Sequence, residues 1–172
     1  MQSRNCHAFA SYIASKSNIE ADKASRVFTS ETEWELNSSY YKTITKKFGN
    51  PEIDLFASYK NAKCLKYCSW GPDPRSWKVD AFTFSWSEIY FFAFPPFNLV
   101  LRVLKKIETD HATGIVVAPN WPSQPWHAKF KSMLKSEICI LKANQSLLIC
   151  DHRIHPMWSS LDLMAGILSG IL

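Results

Sequence analysis

"EIYFFAFPPFNLVLRVLKKIETDHATGIVVAP", residues 88–119, decides the fold. After Glu88, six apolar and aromatic residues run without a break, the pattern of a strand buried on both faces. Pro95 and Pro96 end that strand, since proline has no N–H to donate to a ladder. Leu99, Val103, Leu104 and Ile107 then recur at helical spacing, with Arg102, Lys105 and Lys106 on the opposite side. Asn98 is placed to cap that helix through its side-chain oxygen. "TGIVVAP", residues 113–119, is a second strand of β-branched residues. Strand, helix and strand in this order predict a parallel pair with a right-handed crossover.

The flanks extend the same alternation. Upstream, Ser38 or Asn37 caps a helix with Tyr41, Ile44, Thr45 and Phe48 on one side, and Gly49 stops it. "PEIDLFAS" from Pro51 and "CLKYCSW" at residues 64–70 read as short strands. Residues 71–86 carry two prolines and a glycine and must begin as a loop. Downstream, "WPSQPWHAKFKSMLK" gives a loop and a helix, and "EICILK" and "SLLIC" give two late strands. A final helix or turn is expected over "PMWSSLDLMAGILSG". Strands alternating with helices predict an α/β domain with a largely parallel sheet.

Bulk composition sets limits on function. A chain of 172 residues with 47% hydrophobic content can bury a full core, which excludes a disordered chain. The net charge of +5 is compatible with a polyanion partner, yet too small to identify one. No window holds the roughly 20 apolar residues of a membrane span, and the opening "MQSRNCHAFASYIASK" lacks a signal-peptide core. Five cysteines without framework spacing are expected as free thiols in a reduced, intracellular protein of cytoplasm or nucleus. Neither Cys64 with Cys68 nor His152 with His155 has further ligands in sequence, so no metal is expected.

In a parallel α/β sheet, ligands sit beyond the carboxyl ends of the strands. Three groups fall at such ends: Asp54, Ala57 and Ser58; Pro95, Pro96 and Phe97; and Pro119, Trp121, Pro122 and Trp126. The topology should gather them along one rim. Lys105, Lys106, Lys129, Lys131 and Lys135 could track phosphates from two helices or serve as their wet faces.

"FGNPEIDLFAS", Asn61, Tyr67, "DAFTFSW", "FFAFPPFNLV" and "GIVVAPNWPSQPW", in that order, resemble the phage-type DNA adenine methyltransferases. The resemblance implies a Rossmann-like sheet with helices on both faces. It implies S-adenosylmethionine contacts at Asp54, Phe56 and Ser58, and base stacking at Trp121 and Trp126. It also implies that Pro95, Pro96 and Phe97 belong to a loop that holds a flipped adenine. There a side-chain acceptor and a proline carbonyl take the exocyclic amine while an aromatic ring stacks on the base. Phe94 occupies the acceptor position and offers no oxygen or nitrogen, so the group that would make the amine nucleophilic is missing. "IDLFAS" also lacks the glycines that let a cofactor approach closely.

"YIASKSNIEADKASR", residues 12–26, is similar to the end of a retroelement ribonuclease H domain. The resemblance makes Asp22 the last of four carboxylates that hold two divalent ions. The other three have no counterpart upstream, so Asp22 is expected as an ordinary helix residue. A ribonuclease H remnant over residues 1–30 followed by a methyltransferase-like domain over 31–172 is the order of DIRS-type tyrosine-recombinase retrotransposon polyproteins. "EWELN", "SWGPDP", "AFPPF" and "HPMWSSLDLMAGILSG" fit that family as well. The expected function is a transposon-derived module without catalysis that binds DNA, RNA or its own reverse transcriptase polyprotein. The alternatives are an active adenine-N6 methyltransferase and a structural domain with no ligand.

Overall fold

The computed structural model describes residues 34–150 and 153–171. In chain order these form β1 (Glu35–Leu36), α1 (Ser38–Phe48), β2 (Ile53–Asp54), β3 (Lys66–Ser69), β4 (Lys78–Val79) and β5 (Tyr90–Ala93). Then come α2 (Val100–Thr109), β6 (Thr113–Pro119), α3 (Pro125–Ser132), β7 (Cys139–Leu141), β8 (Leu148–Cys150), β9 (Arg153–Ile154) and β10 (Leu163–Ser169). The ribonuclease H-like segment, with Asp22 and the helix expected to carry it, lies outside the described residues.

Seven strands make one sheet in the order β4-β3-β2-β5-β6-β10-β7, and β1, β8 and β9 make a small second sheet. The strands β4, β3, β2, β5 and β6 are mutually parallel, while β10 runs antiparallel between β6 and β7. The expected parallel pair is therefore present, with Phe91 opposite Gly114 and Phe92 opposite Ile115. Side chains alternate across it, as the two-residue period of a strand requires. Phe91, Ala93, Val116 and Ala118 pack with Val103, Leu104 and Ile107 of α2 and Phe130 of α3. Phe92, Ile115 and Val117 pack with Ile44 and Phe48 of α1. Helices thus cover both faces, and the result is a mixed α/β fold with a mostly parallel sheet.

Local chemistry explains the ends of the elements. Asn37 caps α1, its Oδ1 accepting from the Ser39 N–H at 3.0 Å, and Gly49 closes it at φ 90°, where a side chain would be strained. Asn98 does not cap α2. A 3₁₀ turn over Phe97–Leu99 precedes that helix, and neither start receives a side-chain hydrogen bond. The prolines set this turn: the Pro96 carbonyl already accepts from the Leu99 N–H at 2.8 Å.

The largest departure from expectation is at residues 156–170. A turn over 156–160 is followed not by a helix but by strand β10, paired with β6 along seven residues. A continuous apolar run reads alike as buried helix or buried strand, and partners on both sides decide for strand. The two late strands also part company, since β7 joins the main sheet and β8 the small one. No helix among the described residues is long and apolar enough to cross a membrane.

Gly114 is where the parallel pair is tightest. A Cβ there would meet three Phe91 ring atoms at 2.6–2.7 Å, and that ring is fully buried with Trp86 at 5.2 Å between centroids. Gly114→Ala should cost about 1–3 kcal/mol in a denaturant titration. Combining it with Phe91→Leu should cost clearly less than the sum of the single changes. Additive losses would show that the ring does not oppose the added methyl.

Candidate functional site

The chain leaves β2 toward β3 and β4 on one side, but leaves β5 toward β6 on the other. The direction of winding reverses between β2 and β5, so their diverging connections leave a crevice at the carboxyl ends. The two strands align Ile53 with Phe91 and Asp54 with Phe92. Asp54, Phe56, Asn61, Phe92 and Phe94 line that crevice, together with Trp34, Glu35 and Lys63. The structure thus brings four residues singled out in the sequence, Asp54, Phe56, Asn61 and Phe94, to one place. Its free volume is about 20 Å³, against the roughly 300 Å³ or more of an ordinary small-molecule site.

Asp54 is 3% exposed. Its two oxygens accept from the backbone N–H groups of Phe56, at 3.2 Å, and Lys63, at 3.0 Å. One carboxylate therefore holds both ends of the turn that follows β2. Burial pushes its pKa up to about 6, and the two N–H donors oppose that shift without cancelling it. Lys63 turns its ammonium to Glu35 at 2.9 Å, an ion pair 8% and 25% exposed that ties β1 across the crevice. Cys64 lies beside it, its Sγ 3.4 Å from the Tyr41 hydroxyl, and burial raises both groups so that each stays protonated. Ser58 folds onto its own turn, where its N–H donates to Asn61 Oδ1 at 2.7 Å.

The proline loop presents less than its sequence suggests. Pro95 is buried, Pro96 exposed, and Phe97 half-buried. Phe97 stands edge-on to Phe94 at 6.3 Å and to Trp121 at 5.4 Å, a row of rings along the rim. Trp121 packs against the cores on both faces. Trp126 is 5% exposed in α3 and sits within the core, so its ring offers no open face in this conformation. The rim gathers Asp54 with Phe94, and Phe97 with Trp121, but Trp126 stands apart.

Sequence reasoning passed over Glu35 and Lys63. A Lys and a Glu 28 positions apart carry no pattern, and only the fold reveals them as a pair. Among the described residues no three His, Cys, Asp or Glu side chains approach closely enough to hold a metal, and Cys64, Cys68 and Cys139 are free thiols. No family model and no curated protein matches this sequence.

The pKa of Asp54 has a consequence of definite sign. Its folded value near 6 exceeds the ordinary 3.8, so the folded state binds more protons between those values. Asp54 therefore opposes stability above pH 6, and that penalty fades as the pH falls toward 4. From pH 7 to pH 5 the stability of the wild type should gain on that of Asp54→Asn by about 1 kcal/mol. Denaturant titrations of both proteins at the two pH values measure this, and a constant gap would mean that the carboxylate ionises as freely folded as unfolded.

Proposed function

We propose that this chain is a catalytically silent, methyltransferase-like domain of Rossmann type, belonging to the polyprotein of a DIRS-type retrotransposon. The observation that supports it most is the strand order. With β10 set aside, the sheet reads third, second, first, fourth, fifth and sixth strand, from β4 through β2 and β5 to β7. That is the order of dinucleotide-binding sheets, whose ligands lie at the reversal point. Asp54 and the Phe94–Phe97 loop stand at that point here.

The same crevice supports the silent part of the reading. S-adenosylmethionine does not fit the residues present: the crevice holds space for about one water, and the Lys63–Glu35 pair closes over it. Both oxygens of Asp54 are engaged by backbone N–H groups, leaving it poorly placed to receive a cofactor hydroxyl. An adenine amine would find phenyl carbon at Phe94, and a Pro96 carbonyl already committed to Leu99. The Phe97 ring is engaged by Phe94 and Trp121. A module of this kind would serve the polyprotein by binding, with the reverse transcriptase segment or nucleic acid as partner.

Calorimetric titration of S-adenosylmethionine into the full chain tests the reading. Neither wild type nor Phe94→Asn should give saturable heat, and neither should methylate adenine-containing DNA. Saturable heat from wild type that Asp54→Ala abolishes would replace this proposal with the active adenine methyltransferase.

A further inference from the structure

Two sets stand out among the basic side chains of the described residues. Lys47, Lys63, Lys106, Lys129 and Lys142 each meet a carboxylate within 4.0 Å. Lys60, Arg75, Lys78 and Arg102 meet none among the described residues, and lie against aromatic rings instead. The Arg75 guanidinium is 5.3 Å from the Tyr59 ring centroid and the Lys60 ammonium 6.0 Å from it. Lys78 sits between Trp77 and Phe84, at 4.6 and 4.5 Å. Arg102 lies 3.8 Å from the Phe82 ring centroid. All four cations are exposed.

The segment from Asp73 to Phe84, which carries Arg75, Lys78 and the ring beneath Arg102, runs through the strand at one end of the main sheet. β4 is its outermost strand, and carries Lys78 with Trp77 just before it. Tyr59 and Trp77 leave 57% and 43% of their surface open, unusual for large rings that a core could have taken. Two carboxylates share the region, and both accept hydrogen bonds from groups other than these four side-chain cations. Asp73 accepts from the Arg75 N–H at 2.9 Å and the Tyr67 hydroxyl at 2.7 Å, and Asp80 accepts from the Phe82 N–H at 3.0 Å. Four cations against two carboxylates leave a positive surface with open rings between the charges.

We propose that this edge of the sheet binds single-stranded nucleic acid, with Tyr59 and Trp77 stacking on bases and Lys60, Arg75, Lys78 and Arg102 holding phosphates. Every base has a π-face, so stacking needs no sequence, and alternation of ring and cation suits a chain that alternates base and phosphate. A cation already resting on a ring is only weakly held and can turn to a phosphate without breaking an ion pair. An acidic peptide would satisfy the cations but leave the rings uncovered. Two of the five lysines that the sequence suggested as a phosphate track, Lys106 and Lys129, are in ion pairs with Asp110 and Glu108, which weakens that alternative surface. The proposal does not depend on the silent crevice, since no residue of that crevice takes part.

Fluorescence anisotropy with labelled 20-mer oligothymidylate and oligouridylate, on the full chain, tests it. Four phosphate contacts on a single strand predict a slope of log K against log salt of about −3, falling to about −1.4 in Arg75→Ala/Lys78→Ala. Trp77→Ala should weaken the oligonucleotides about tenfold while leaving heparin, which has no bases, within twofold. Lys131→Ala/Lys135→Ala, on the other lysine cluster, should change nothing. No binding by wild type would overturn the proposal, as would equal losses for heparin and oligonucleotide in Trp77→Ala, or a larger loss in Lys131→Ala/Lys135→Ala. Trp77 and Lys78 are exposed, and thermal melts followed by circular dichroism check that each variant is folded.

Discussion

The pairing of β5 with β6 is the constraint on which the other elements depend. Two strands that are apolar on both faces cannot leave either face to water, so each needs a cover. Val103, Leu104 and Ile107 supply it on one side, Ile44 and Phe48 on the other. The parallel sense of the pair forces the intervening chain to cross over, and α2 is that crossing. β2 pairs in parallel on the other edge of β5, so the ends of β2 and β5 fall on the same rim, and the chain winds away from them in opposite directions.

What fills that rim decides its chemistry. A crevice at a winding reversal is open by default, since the connections diverge from it. Here it is closed by three means: rings at Phe56 and Phe94, the turn held by Asp54, and the ion pair that Lys63 makes with Glu35. The ion pair is largely withdrawn from water, and such a pair resists the loss of either partner more than it adds to stability. The polar groups of the site serve one another. Contrast the β4 edge, where cations and rings face outward and the cations meet no carboxylate among the described residues.

Much of this was legible in the sequence, for identifiable reasons. Residues 89–94 and 113–119 announced themselves because a strand buried on both faces needs an unbroken apolar run. Gly49 marked a helix end because its conformation excludes side chains. Asp54 stood out as an acid among apolar neighbours, and its place at the crevice follows from the strand it ends. Three things were not legible. Residues 161–169 read as helix or turn, since periodicity is silent when all sides are apolar. Trp126 looked like a rim residue because it follows β6 closely, but α3 begins at Pro125 and carries it into the core. The Lys63–Glu35 pair, like the ring contacts of Lys78 and Arg102, depends on segments distant in sequence. Such pairings leave no periodic trace.

The position of β10 bears on how the domain comes to be made. It is an interior strand of the main sheet, hydrogen-bonded on both sides, yet it comes last in chain order among the described strands. A ribosome delivers the chain in sequence, so β6 and β7 emerge with a strand-wide gap between them and two unpaired ladders facing it. The sheet can be completed only after residue 169 has cleared the exit tunnel. Until then the nascent domain shows sticky edges of the kind that chaperones hold and that misassembly exploits. A stop or frameshift a dozen residues before that point would not trim the domain. It would remove an inner stave and leave the rest without a closed core.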